Sequence, residues 1–126
     1  LLVIPNLPGG LQMWQGAREL LPNGVLCLGG VPEKIEKNAG ILVYFDQIAS
    51  GQNLLRTLKK LKDLKINSQR IRVITSLASN NGLNNIGELF PDLKIYAACI
   101  DPILSDKGEI IPGMGNPSSR LNTRVT

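Results

Sequence analysis

Short apolar runs of strand length alternate along this chain with segments whose apolar residues recur every three or four positions. Residues 1–5 form one such run, closed by Pro5, and Val25-Leu26-Cys27-Leu28 a second. Gly40 to Phe45 is the strongest strand signal, followed by Arg70 to Leu77 and Leu93 to Ile100. Between them, Leu11, Trp14, Ala17, Leu20 and Leu21 predict a helix over 10–21, stopped by Pro22-Asn23-Gly24. Leu54, Leu55, Leu58, Leu61 and Leu64 predict a second helix that starts near Asn53, with Arg56, Lys59, Lys60, Lys62 and Asp63 on its outer face. A third, short helix is expected over Asn84 to Phe90. Strands that alternate with helices imply βαβ units, and hence an α/β fold with a mostly parallel sheet flanked by helices. In open sheets of this kind ligands lie beyond the carboxyl ends of the strands. Chemistry is therefore expected in the loops at 6–10, 46–53 and 101–117. The tail over 106–126, with five Gly and Pro residues, reads as an irregular hood.

Composition narrows the function. The 126 residues suit one domain. It is expected to lack its N-terminal portion, since the sequence opens on Leu1 without Met. Apolar residues make up 43% and aromatics 4%, so the core must be built from Leu, Ile and Val. The chain has no histidine, which excludes a His-based triad or a His-containing zinc site, and no metal site is expected. Cys27 and Cys99 lie in strand-like runs and are expected to be buried thiols of a reducing compartment, cytoplasm or an organelle stroma. No apolar stretch approaches the ~20 residues of a membrane span. The net charge of +4 is spread along the chain, without interleaved aromatics, and implies a solvated face rather than a nucleic-acid surface.

One loop has the makings of an anion site. A strand leads into Asp46-x-x-Ala49-Ser50-Gly51, and a helix begins directly after it. Backbone N–H groups and the helix dipole favour an anion there. The Gly-Lys-Ser/Thr ending of a P-loop is absent, which argues against an ordinary nucleotide triphosphatase. The alternative is local: Ser50 or Asn53 caps the helix and nothing more.

Three blocks, in one order, resemble the uracil phosphoribosyltransferase family. Tyr96 to Gly108 runs into Ile110-Ile111-Pro112-Gly113-Met114-Gly115, which is similar to the family's IVPGLG uracil-binding hood. Val43 to Asn53 occupies the place of its phosphoribosyl-diphosphate loop, VVDPMLATGGS, and Pro5 to Met13 that of VPILRAGLGM. The resemblance implies a phosphoribosyltransferase-like (Rossmann-like) sheet with a C-terminal hood. It implies that Asp46, Ala49, Ser50, Gly51, Gln52 and Asn53 are the phosphoribosyl-diphosphate loop and that Ile110, Gly115, Asn116 and Pro117 outline the base pocket. Uracil and phosphoribosyl diphosphate are the implied ligands, with Mg²⁺ if the chain is active.

The departures from the family pattern are as informative. The diphosphate-binding Arg of LRAG is Pro8 here, and the GLYRD stretch reads Leu28-Gly29-Gly30-Val31-Pro32, again without Arg. The loop's opening acid falls on Phe45, with Asp46 one place later, and the aspartates of GLGDAGDR become Asn116 and Ser119. Only residues 29–39 stand where the family has a long β-arm. A charge-assisted hydrogen bond contributes roughly 1.5–3 kcal/mol, so these losses together remove on the order of 6–10 kcal/mol of substrate and transition-state binding. The expectation is a homologue that has lost catalysis and serves as a subunit of a larger protein assembly. The alternatives are an active or weakened enzyme making UMP and diphosphate, and a sensor that binds a nucleotide or base without turnover.

Overall fold

A computed structural model describes residues 1–115 of the chain. Strand β1 (Leu2–Pro5) leads to helix α1 (Gly9–Ala17), which tightens into a 3₁₀ turn (Arg18–Leu20) before strand β2 (Val25–Leu26). Strand β3 (Ile41–Ile48), helix α2 (Gln52–Asp63), strand β4 (Ile71–Ser79), helix α3 (Asn80–Leu89) and strand β5 (Lys94–Asp101) follow. The sheet order is β2-β1-β3-β4-β5 and every neighbouring pair is parallel. A two-stranded antiparallel ribbon, β6 (Ile103–Leu104) and β7 (Ile110–Ile111), stands apart from the sheet. It gives the expected irregular hood a hydrogen-bonded stem.

The core is aliphatic, as the scarcity of aromatics requires. Ile4, Ile41, Val43, Ile71 and Val73 are buried on the central strands, and Leu54, Leu55, Leu58 and Leu61 close over them from α2. The alternation of buried and half-buried positions along β4 shows its two faces. Each α2 leucine contributes roughly 1.5–3 kcal/mol by leaving water. Leu64, the last residue of the predicted stripe, lies past the end of α2 and is 37% exposed.

Several boundaries differ from the sequence reading, each for a physical reason. β3 does not stop at Phe45; its ladder with β4 runs on through Gln47↔Leu77 and Ile48↔Ala78, so Asp46 and Gln47 are strand residues. The connecting loop is thereby reduced to 49–51. α3 begins at Asn80, four residues before the expected start, because the Ser79 hydroxyl caps it by accepting the Gly82 N–H at 2.9 Å. The first helix ends at Ala17, and β2 keeps two of its four expected residues. The two thiols are not both buried: Cys27 is half-buried, with its Sγ donating to Gly30 O at 3.0 Å, while Cys99 is exposed. β5 is the sheet's last strand, and its outer edge meets no other strand among the described residues.

Candidate functional site

The residues that follow β3 are held in place from behind. Ser79 Oγ donates to Ala49 O, and Asn85 Nδ2 donates to Ser50 O at 3.0 Å. Gly51 O accepts Leu55 N–H at 2.9 Å, the first bond of α2. In a trans peptide the C=O of one residue and the N–H of the next point in opposite directions. Carbonyls 49 and 50 are drawn towards α3 and carbonyl 51 into α2. The N–H groups of Ser50 and Gly51 therefore point away from α3, and the loop that carries them borders open space. Gly51 makes the turn possible: its φ is +84°, which a side chain would oppose.

That open space is a cavity of about 320 Å³. All six loop residues expected from the sequence, Asp46, Ala49, Ser50, Gly51, Gln52 and Asn53, line it, together with Asn6, Phe45, Gln47, Ile48 and Leu54. The first turn of α2 opens onto it without a side-chain cap; Gly51 is the N-cap, and Ser50 Oγ accepts only a long 3.4 Å bond from Gln52 N–H. The local capping role considered for Ser50 and Asn53 is thus not what the structure shows. A helix start left open in this way is an anion-binding arrangement. Asp46 sets one wall. Its backbone O accepts the Ser76 hydroxyl, its Oδ1 accepts the Gln47 N–H at 3.0 Å, and its carboxylate lies against Gly9, where even a methyl group would overlap it.

A second cavity, of about 350 Å³, lies under the hood and is lined by Gln47, Ala49, Gly108, Glu109, Ile110, Ile111, Pro112 and Gly115. Asp101, at the end of β5, anchors the hood by accepting the Gly113 N–H on Oδ2 at 2.9 Å. Of the four residues expected to outline a base pocket, Ile110 and Gly115 line this cavity, and Asn116 and Pro117 lie outside the described residues. Gln47 and Ala49 border both cavities, so the two form adjoining halves of one depression at the carboxyl end of β3. Gln47 Nε2 donates to Gly115 O at 3.3 Å across the junction.

Pro8 and Val31, which stand where the family pattern has arginines, line neither cavity, and no Lys or Arg does so among the described residues. No group of three or more His, Cys, Asp or Glu able to hold a metal occurs there either. No described helix is long and apolar enough to cross a membrane. Sequence reasoning missed Ser79, Asn85 and Gln47, because each acts on a residue at least 30 positions away.

Comparison with known proteins gives a consistent result. The sequence model of the uracil phosphoribosyltransferase family matches residues 23–123. The chain is 32% identical to uracil phosphoribosyltransferase of Synechococcus elongatus, over 96% of this chain and 63% of that protein. It is 31% identical to the chloroplastic uracil phosphoribosyltransferase of Arabidopsis thaliana, over 94% of this chain and 45% of that protein. The chain therefore spans less than two thirds of the length of either relative. A solved protein from Aquifex aeolicus superposes with a TM-score of 0.80 at 24% identity, covering 96% of this chain and 64% of that one, which establishes the shared fold.

Proposed function

Because the chain belongs to the uracil phosphoribosyltransferase family, we propose that it forms the sugar-phosphate and base halves of a site that joins uracil to phosphoribosyl diphosphate, giving UMP and diphosphate. The observation that carries this reading is the pair of adjoining cavities that share Gln47 and Ala49. One cavity is bordered by outward N–H groups and an open helix start, which suit a phosphate. The other is walled by Ile110, Ile111 and Pro112, with Gln47 and Glu109 as its polar side chains, which suits a flat base with polar edges.

In the reaction a bond forms between uracil N1 and ribose C1′, the C1′–oxygen bond to diphosphate breaks, and the N1 proton is released. The chain's part is to position and to stabilise charge. The N–H groups of Ser50 and Gly51 hold the 5′-phosphate, and Asp46 faces the ribose hydroxyls. Asp46 is the only carboxylate among the described residues that line the loop cavity. That donor set suits a Mg²⁺ ion carried in on the substrate's phosphates, since this ion keeps several waters and takes few protein ligands. Bound there, it would neutralise charge on the leaving diphosphate.

A second reading, a non-catalytic subunit of a protein assembly, is favoured by one observation: among the described residues, those that line the cavities offer the diphosphate no cation. The separating experiment mixes the protein with uracil, phosphoribosyl diphosphate and Mg²⁺ and follows UMP by chromatography. Accumulating UMP, with a high KM for phosphoribosyl diphosphate, supports the transferase. Binding of UMP without any turnover selects a nucleotide sensor instead of either reading. Absence of both turnover and UMP binding would overturn the transferase site and select the second reading.

A further inference from the structure

The junction of the two cavities is spanned by a side chain that neither half of the site explains. Gln47 is half-buried near the carboxyl end of β3, borders both cavities, and reaches Gly115 in the hood, 68 positions along the chain. It is paired with Leu77 in the β4 ladder and its neighbour Ile48 is fully packed, so its backbone is fixed on the sheet. The hood is otherwise anchored to the sheet at a different place, through Asp101 and Gly113. The Gln47 amide is orientated by its partner: a carbonyl oxygen can only accept, so the NH₂ group must face Gly115 O.

We propose that Gln47 is a positioning residue that latches the hood to the end of β3 and so fixes the base cavity against the sugar-phosphate cavity. This rests on the transferase reading for the identity of the ligand, a pyrimidine nucleoside 5′-phosphate that spans both halves. The latch itself is a property of the unliganded chain. Its consequence is selective. Loss of the latch lets the hood drift and weakens ligands that carry the base, while a ligand confined to the loop cavity keeps its contacts.

The test replaces Gln47→Met, which keeps the length and volume of the side chain but removes its N–H. Hydrogen exchange is measured in the unliganded protein, and UMP and ribose 5-phosphate are each titrated by calorimetry. One neutral hydrogen bond alters an opening or binding equilibrium by roughly threefold to tenfold. Amides over 108–115 should exchange faster by about that factor, while those of β3 and β4 are unchanged. UMP affinity should fall by a similar factor and ribose 5-phosphate affinity should stay the same. Unchanged exchange in the hood overturns the latch, whatever the ligands do. An equal loss for both ligands overturns its selectivity, since Gln47 would then be shaping the loop. Should the wild-type protein bind neither ligand, the transferase reading falls and hood exchange alone decides the latch.

Discussion

Replacing Ser79 by Ala tests how the phosphate loop is held. The Ser79 side chain is fully buried and its hydroxyl does two things at once: it accepts the Gly82 N–H that starts α3, and it donates to the Ala49 carbonyl. Loss of a Ser N-cap costs about 0.5–2 kcal/mol. A buried carbonyl left without its donor costs about 1–3 kcal/mol more. The two effects share one atom and are not strictly additive, so a destabilisation of roughly 2–4 kcal/mol is expected for S79A. Urea unfolding followed by circular dichroism reads this directly. With a slope of about 1–3 kcal/mol per molar, the midpoint should move down by on the order of 1–2 M with the slope unchanged. Ribose 5-phosphate affinity should fall as well, because the Ser50 N–H is aimed by the peptide whose carbonyl Ser79 holds. A destabilisation below about 0.5 kcal/mol, of the size seen for ordinary surface changes, would refute the bridging role of the hydroxyl.

Other consequences can be checked independently. Gly51→Ala forces a side chain into a left-handed backbone and to within 3.1 Å of Gly82 O; a loss of about 2–4 kcal/mol in thermal or urea unfolding is expected. Pro8→Arg places a cation where the family pattern has one, and KM for phosphoribosyl diphosphate should fall roughly tenfold to a hundredfold; no change would show that the position does not reach the diphosphate. Burial raises the Tyr44 phenol above its ordinary value of 10.0. A raised folded-state value favours the protonated form, so its contribution to stability is intact below pH 10 and is lost as pH rises through the higher folded value. Tyr44→Phe should flatten that alkaline decline in a pH series of urea midpoints.

The sheet was legible because its strands are apolar runs and α2 is an unbroken leucine stripe. The ends of the elements were not. Asp46 and Gln47 look like loop residues by polarity, yet the β4 ladder carries them as strand. The start of α3 is hidden among Asn80 and Asn81, and Ser79 emerges as its cap only in the structure. Cys99 sits in a run that reads as a buried strand, and only its place at the sheet edge explains its exposure. For the site, the order strand, small-residue loop, helix was enough to find the cavity from Asp46 to Asn53. What aims its N–H groups was not legible, since Ser79 and Asn85 lie 30 and 35 positions from the carbonyls they hold. The Gln47–Gly115 contact joins the end of β3 to the hood, whose proximity follows from the fold alone.

The claim on which the functional account rests is that the loop after β3 holds a 5′-phosphate through its backbone. Calorimetric titration of UMP and of uridine into the wild-type protein isolates that contribution, because the two ligands differ only by the phosphate. Two charge-assisted bonds to N–H groups predict that UMP binds at least about a hundredfold more tightly than uridine. Equal affinity for the two, or no binding of UMP at millimolar concentration, would contradict it.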